Sequence, residues 1–136
     1  MKITDEILVR MHKAAIDAYK NAYAPYSSFP VAAAVLSKGK RIFAGVNIEN
    51  ASYGLTRCAE QIAVGNAITN GCHELCAVLV FTEKGDSWPC GACRQILAEF
   101  NLDMPVYIAD KNEIKDKKLV RELLPWDFSC DNLVGS

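Results

Sequence analysis

The sequence predicts a mixed α/β sheet sandwiched between helices, and three observations predict it. Val31 to Leu36 and Arg41 to Ile48 are apolar-rich runs joined by the turn Lys38-Gly39-Lys40, which reads as a hairpin. Beyond the hairpin, segments of helical and strand pattern alternate. One of them, Leu75 to Phe81, is almost continuously apolar, as expected of a strand covered on both faces. A hairpin followed by alternating helices and strands gives a sheet of mixed sense with helices outside it.

The elements follow in order. Residues 4 to 22 carry Ile7, Leu8, Met11, Ala15 and Ala18 at helical spacing, with Thr4 or Asp5 able to cap the start. The turn Ala24-Pro25-Tyr26-Ser27-Ser28 ends that helix, and the hairpin comes next. Asn50 to Thr56 has no period and reads as irregular. Cys58 to Ile68 reads as a helix closed by Asn70-Gly71. After the strand Leu75 to Phe81, Gly91 to Glu99 is a third helix and Val106 to Ala109 a short strand. Leu119 to Leu124 is a last helical turn or two, and the tail from Ser129 to Ser136 is expected to be loosely ordered.

A chain of 136 residues suits one domain with a real core. Its net charge of −1 and the lack of a basic run argue against a nucleic-acid partner. Its apolar stretches are far shorter than a membrane span, so no membrane partner is expected. Asp5 and Glu6 fall where a signal peptide needs apolar residues, which favours a cytoplasmic protein. The six cysteines then read as reduced thiols, free to bind metal.

Two of those thiols stand three residues apart in Trp88-Pro89-Cys90-Gly91-Ala92-Cys93-Arg94-Gln95. A zinc site with open chemistry needs three protein ligands and one exchangeable position. Cys58, in Thr56-Arg57-Cys58-Ala59-Glu60, is the candidate third ligand. Cys58 opens one predicted helix and Cys90 with Cys93 opens another. A helix N-terminus carries partial positive charge and unpaired N–H groups, which stabilise the thiolates zinc requires. Glu60, in the first turn beside Cys58, is placed to act as a base rather than as a fourth ligand. Taken alone, the three cysteines also allow a structural zinc site, and Cys90 with Cys93 a redox pair. Neither His12 nor His73 stands in a ligand motif, and both read as surface residues. Cys72, Cys76 and Cys130 read as packed or partly exposed thiols.

Cys-Ala-Glu followed by Pro-Cys-x-x-Cys is the signature of zinc nucleobase deaminases. The second motif continues through Arg94-Gln95, and three further blocks stand in family order: Ala24-Pro25-Tyr26-Ser27 with Phe29, Gly45 to Tyr53, and Leu123-Leu124-Pro125 with Phe128. On these residues the sequence resembles the small homotetrameric cytidine deaminases of the three-cysteine type. The resemblance implies a five-stranded mixed sheet between helices, as one domain over residues 1–136. It implies hydrolytic deamination of cytidine and deoxycytidine, with Zn2+ held by Cys58, Cys90 and Cys93 as the cofactor. Glu60 would carry a proton from water to N3 of the base and then assist loss of the amine. Phe29 would pack against the base, and Asn47 with Glu49 would bind ribose hydroxyls. Ala59 N–H and the Trp88 carbonyl would bind the pyrimidine edge. Phe128 would reach a neighbouring subunit's site, making the homotetramer part of the active site.

Three thiolates around a divalent cation leave a net charge of −1, and the sequence departs from the family where that charge is usually offset. Gln61 replaces the arginine that usually follows the glutamate; it can donate a hydrogen bond but brings no charge. Arg94 is expected to donate to sulfur, and Arg57 is a candidate replacement cation. Ser28, Pro30, Ala32 and Trp88 also depart from the common pattern around the substrate. Two alternatives therefore accompany the leading reading: a deaminase of a modified cytosine nucleoside of the blasticidin type, and a non-catalytic zinc-binding module.

Overall fold

The structure is a computed structural model and describes residues 1–133. Thr4 caps helix α1 (Asp5–Tyr19), its hydroxyl accepting from Ile7 N–H at 3.2 Å. The buried stripe Ile7, Met11 and Ala15 lies against Ala32, Ala34, Leu36, Leu79 and Phe81 of the sheet. The helix stops short of residue 22 because the Asn21 and Ala22 N–H groups turn back to the Ala18 and Tyr19 carbonyls.

Strands β1 (Ala32–Ser37) and β2 (Ile42–Val46) form the expected hairpin. On its other side β1 pairs antiparallel with β3 (Leu75–Phe81). β3 runs parallel to β4 (Pro105–Ala109), and with β5 (Ile114–Leu119) the sheet order is β2-β1-β3-β4-β5. Helices α2 (Ala59–Thr69) and α3 (Gly91–Phe100) cover the face opposite α1. There Ala63, Val64, Ala67 and Leu97 meet Ala33, Val35, Val78 and Val106. With helices on both faces, every residue of β1 is buried.

Two glycines fix α2. A Cβ on Gly45 of β2 would lie 2.3 Å from Ala63 N and 2.6 Å from Ala59 O, so only glycine lets the helix approach this closely. At the other end Gly71 adopts φ +83°, while Cys72 N–H reaches Ala67 O and Gly71 N–H reaches Ile68 O. These paired bonds end the helix where Asn70-Gly71 was expected to end it.

The fifth strand, β5 (Ile114–Leu119), pairs antiparallel with β4 in a segment to which the pattern reading assigned no element. Its sequence, Ile-Lys-Asp-Lys-Lys-Leu, is rich in residues depleted from strands and has no apolar alternation. An edge strand tolerates such charges, which also block pairing with other chains. Helix α4 (Val120–Leu123) follows directly, where the last helical turn was expected. The irregular stretch after β2 holds one 3-10 turn at Tyr53–Leu55. In the tail, Cys130–Asn132 forms another, capped by the Ser129 hydroxyl; the rest of that expectation, residues 134–136, lies outside the described residues. His12 is half-buried rather than on the surface, because Nε2 is 2.6 Å from the Asp110 carbonyl and the ring tilts against Phe81.

Candidate active site

Cys58 is the N-cap of α2 and Cys90 the N-cap of α3, and neither helix start has a side-chain capping bond. Two sets of orphan N–H groups thus open on one region. Cys93, one turn into α3, is fully buried, whereas Cys90 is exposed. The three sulfurs all lie within 4.8 Å of one another, with Cys58 to Cys90 at 3.8 Å and Cys90 to Cys93 at 3.5 Å. Zinc–sulfur bonds of about 2.3 Å in a tetrahedron require sulfurs about 3.8 Å apart. The cluster therefore fits a zinc ion, and it is a three-ligand set with no fourth His, Cys, Asp or Glu among the described residues. The bond with Cys93 is the main cause that lowers the Cys58 thiol to about 6, with Cys90 and Arg57 assisting. Cys93 moves the opposite way, chiefly through its bond with Cys58 and then burial.

Glu60 is 4 % exposed at the second position of α2. Burial above all, with the neighbouring Cys58 adding to it, pushes its carboxyl up to about 7. A cavity of about 310 Å³ is lined by Cys58, Ala59, Glu60, Cys90 and Trp88 together with Phe29, Asn47 and Glu49. Asn47 and Glu49 follow the end of β2, and Ile48 between them bridges to Tyr23 and Arg57, so the alternation of side chains persists past the strand. Asn47 Oδ1 accepts from Val31 N–H at 3.0 Å and Nδ2 donates to Phe29 O at 2.9 Å. Phe128 does not line this cavity; its carbonyl accepts from Gln95 Nε2 at 2.7 Å.

One of the two cations is not where the sequence suggested. Arg94 was expected to donate to sulfur. Instead Nε donates to Pro89 O at 2.7 Å and Nη1 to Leu123 O at 2.9 Å. Those carbonyls compete successfully because the chain before α3 and the end of α4 both pass beside its side chain. Arg94 thus ties down the backbone next to Cys90. Arg57 Nη1 donates to Gly54 O and Thr56 O, so it reaches Cys58 through space only. The side chain that does bond a sulfur is Gln61, whose Nε2 is 3.7 Å from Cys93 Sγ. Val31, Val80 and Ser87 also line the cavity without having been singled out; the two valines carry only a core signal in sequence. Ser27 lies between this cavity and a neighbouring cleft of about 370 Å³ shared with Tyr26, Glu49, Tyr53 and Thr56. Its signals in sequence were its place in the Ala24 to Ser28 turn and in the block Ala24-Pro25-Tyr26-Ser27.

Paired helix starts that converge thiols on a buried carboxylate, over a mixed sheet, define the class of α/β proteins with a zinc-competent catalytic pocket. The family model for the cytidine and deoxycytidylate deaminase zinc-binding region matches residues 5–109, and the chain belongs to that family. A cytidine deaminase of Sporosarcina psychrophila is 43% identical over 118 residues, covering 85% of this chain and 87% of that protein. One from Halalkalibacterium halodurans is 43% identical over 123 residues, covering 89% and 93%. The crystal structure of cytidine deaminase from Burkholderia pseudomallei superposes with a TM-score of 0.82 at 37% identity, covering 88% of this chain and 98% of that one. That of Mycobacterium tuberculosis gives 0.77 at 35% identity, covering 92% and 98%. The implied five-stranded sheet and its helices agree with these neighbours.

Proposed function

We propose that this chain hydrolyses cytidine and deoxycytidine to uridine and deoxyuridine, releasing ammonia. The observation that carries the proposal is a three-sulfur cluster, two of whose cysteines, Cys58 and Cys90, line one cavity with a buried glutamate. Cys58, Cys90 and Cys93 would hold zinc. When bound, zinc supplies a Lewis acid able to lower the pKa of water from about 15.7 toward neutrality. Glu60 takes a proton from the attacking water and delivers it to N3 of the base; it then takes the proton of the new C4 hydroxyl and passes it to the departing amine, leaving the C4 carbonyl and ammonia. The Ala59 N–H and the Trp88 carbonyl orient the pyrimidine edge. Phe29 packs against the base, and Asn47 with Glu49 binds the sugar. Gln61 supports the Cys93 sulfur, Arg94 fixes the Pro89 carbonyl beside Cys90, and Arg57 adds positive charge near Cys58.

The deciding experiment follows loss of cytidine absorbance with the parent, a metal-stripped sample and Glu60→Gln. The parent alone is expected to be active; full turnover by Glu60→Gln would remove the proton-shuttle assignment. A modified cytosine nucleoside is the second substrate reading, favoured by neutral Gln61 beside the sulfur and by bulky Trp88 in the cavity wall. Comparing rates on blasticidin-type analogues with the rate on cytidine separates the two.

The same reading extends to assembly and location. The chain acts as one domain over residues 1–136 and as a homotetramer. Exposed apolar side chains support this: Tyr26 and Tyr53 line the cleft beside the site, Leu55 is exposed in the same turn as Tyr53, and Phe128 is exposed away from its own cavity. Sedimentation of the purified protein tests the stoichiometry. Six free cysteines favour a reducing compartment, the cytoplasm.

A further inference from the structure

The Glu49 carboxylate is nearly saturated by its own chain. Oε1 accepts from Tyr26 N–H at 2.9 Å and from Ser27 N–H at 3.1 Å, and Oε2 accepts from the Ser27 hydroxyl. The same hydroxyl oxygen accepts from Phe29 N–H at 3.0 Å. Ser27 thus spends its one proton on the carboxylate and a lone pair on the Phe29 amide. On the other side of Phe29, the carbonyl accepts from Asn47 Nδ2. Both polar groups of the Phe29 backbone are therefore held by side chains.

Phe29 needs this support. Its ring lines the cavity but is 48% exposed, so packing alone does not fix it. Ser28, just before it, sits at φ +57°, a left-handed conformation that costs a non-glycine residue roughly 1 kcal/mol. Such a turn persists when bonds around it over-determine its shape.

We propose that Ser27 is a positioning residue whose hydroxyl links Glu49 to the Phe29 amide, so that sugar binding at Glu49 and base packing on Phe29 act as one coupled event. The proposal rests on reading Glu49 and Phe29 as substrate contacts. Ser27 also supplies the largest of the interactions that hold the Glu49 carboxyl below its ordinary range. Ser27 is exposed, so a variant there leaves the core untouched. Because it touches neither Glu60 nor the sulfurs, its loss should weaken substrate binding without slowing the chemical step.

The test combines kinetics on cytidine with amide hydrogen exchange. In Ser27→Ala, KM for cytidine is expected to rise about tenfold with kcat within about twofold of the parent. Ser27→Thr, which keeps the hydroxyl, should return KM to within about threefold. Phe29 amide exchange should quicken about tenfold in Ser27→Ala, while the Val31 amide, held by Asn47, stays as in the parent. An unchanged KM, or a fall in kcat as large as the rise in KM, would overturn the proposal. If the parent itself failed to deaminate cytidine, the functional reading would fall, and exchange at Phe29 would still decide whether Ser27 positions that residue: unchanged protection in Ser27→Ala counts against it and acceleration supports it.

Discussion

Gln61 Nε2 stands 3.7 Å from Cys93 Sγ, a bond from a neutral amide to the buried sulfur of the cluster. Both nearby arginines donate to backbone carbonyls instead, so the helix N-termini and the through-space charge of Arg57 are what face the three sulfurs. Gln61→Ala is expected to lower zinc affinity about tenfold in chelator competition, as loss of a ligand-supporting bond does. Gln61→Arg should raise both zinc retention and turnover. If neither variant differs from the parent, the amide is irrelevant to the metal.

Removing any of the three sulfurs should remove the metal. Cys58→Ala, Cys90→Ala and Cys93→Ala are each expected to lose stoichiometric zinc by elemental analysis. Zinc added to stripped parent should raise Tm, since a ligand at about a thousand times its Kd stabilises by about 4 kcal/mol. Binding should also release protons, measurable by calorimetry in two buffers. A parent that carries no zinc and gains no stability from it contradicts the site.

Glu60→Gln preserves shape, removes the carboxylate and so tests the proposed base. Turnover should fall by at least about a hundredfold while zinc content stays at the parent level. A variant that loses its zinc as well would make Glu60 a structural support of the cluster.

Gly45→Ala tests how the fold aims the site. The new methyl meets the backbone of α2 at Ala63 and Ala59, which cannot give way as a flexible side chain would. Destabilisation of about 3 kcal/mol is expected in chemical denaturation. Because Cys58 and Glu60 ride on that helix start, zinc affinity should fall too. A neutral result would mean that α2 slides freely on β2.

Asp110 predicts a pH dependence away from the site. Its Oδ1 accepts from Glu113 and Asn112 N–H, and these bonds, with Lys115 and His12 nearby, hold its carboxyl below the ordinary range. A depressed folded pKa gives stability that is present above the unfolded value of about 3.9 and is lost as pH falls through the folded one. The parent should therefore melt above Asp110→Asn at pH 7, and the gap should close in acid. A gap that widened on acidification would reverse the sign.

Much of the fold was legible because it depends on local pattern. Leu75–Phe81 is a strand between the very residues its apolar run marked, and Thr4, Asn70 and Gly71 behave as the caps they resemble. β5 was not legible, since an edge strand's pairing comes from β4 and not from its own charged residues. Asn47 and Glu49 were legible as neighbours of a pocket, but not as holders of Phe29 and the Ser27 turn, because those bonds span gaps of up to 23 residues.

By itself, the sequence marked the side chains that the fold gathers at the candidate site, three thiols and one carboxylate, and the order of the elements that bear them. Tertiary structure alone decided where the supporting groups point. It turned Arg94 to two carbonyls, gave Cys93 to Gln61, and made Ser27 the hinge between Glu49 and Phe29. The physical reason is range. Periodicity and caps are set within a few residues, whereas a donor's choice among competing acceptors is settled only when distant segments pack and the nearest unpaired oxygen or sulfur is known.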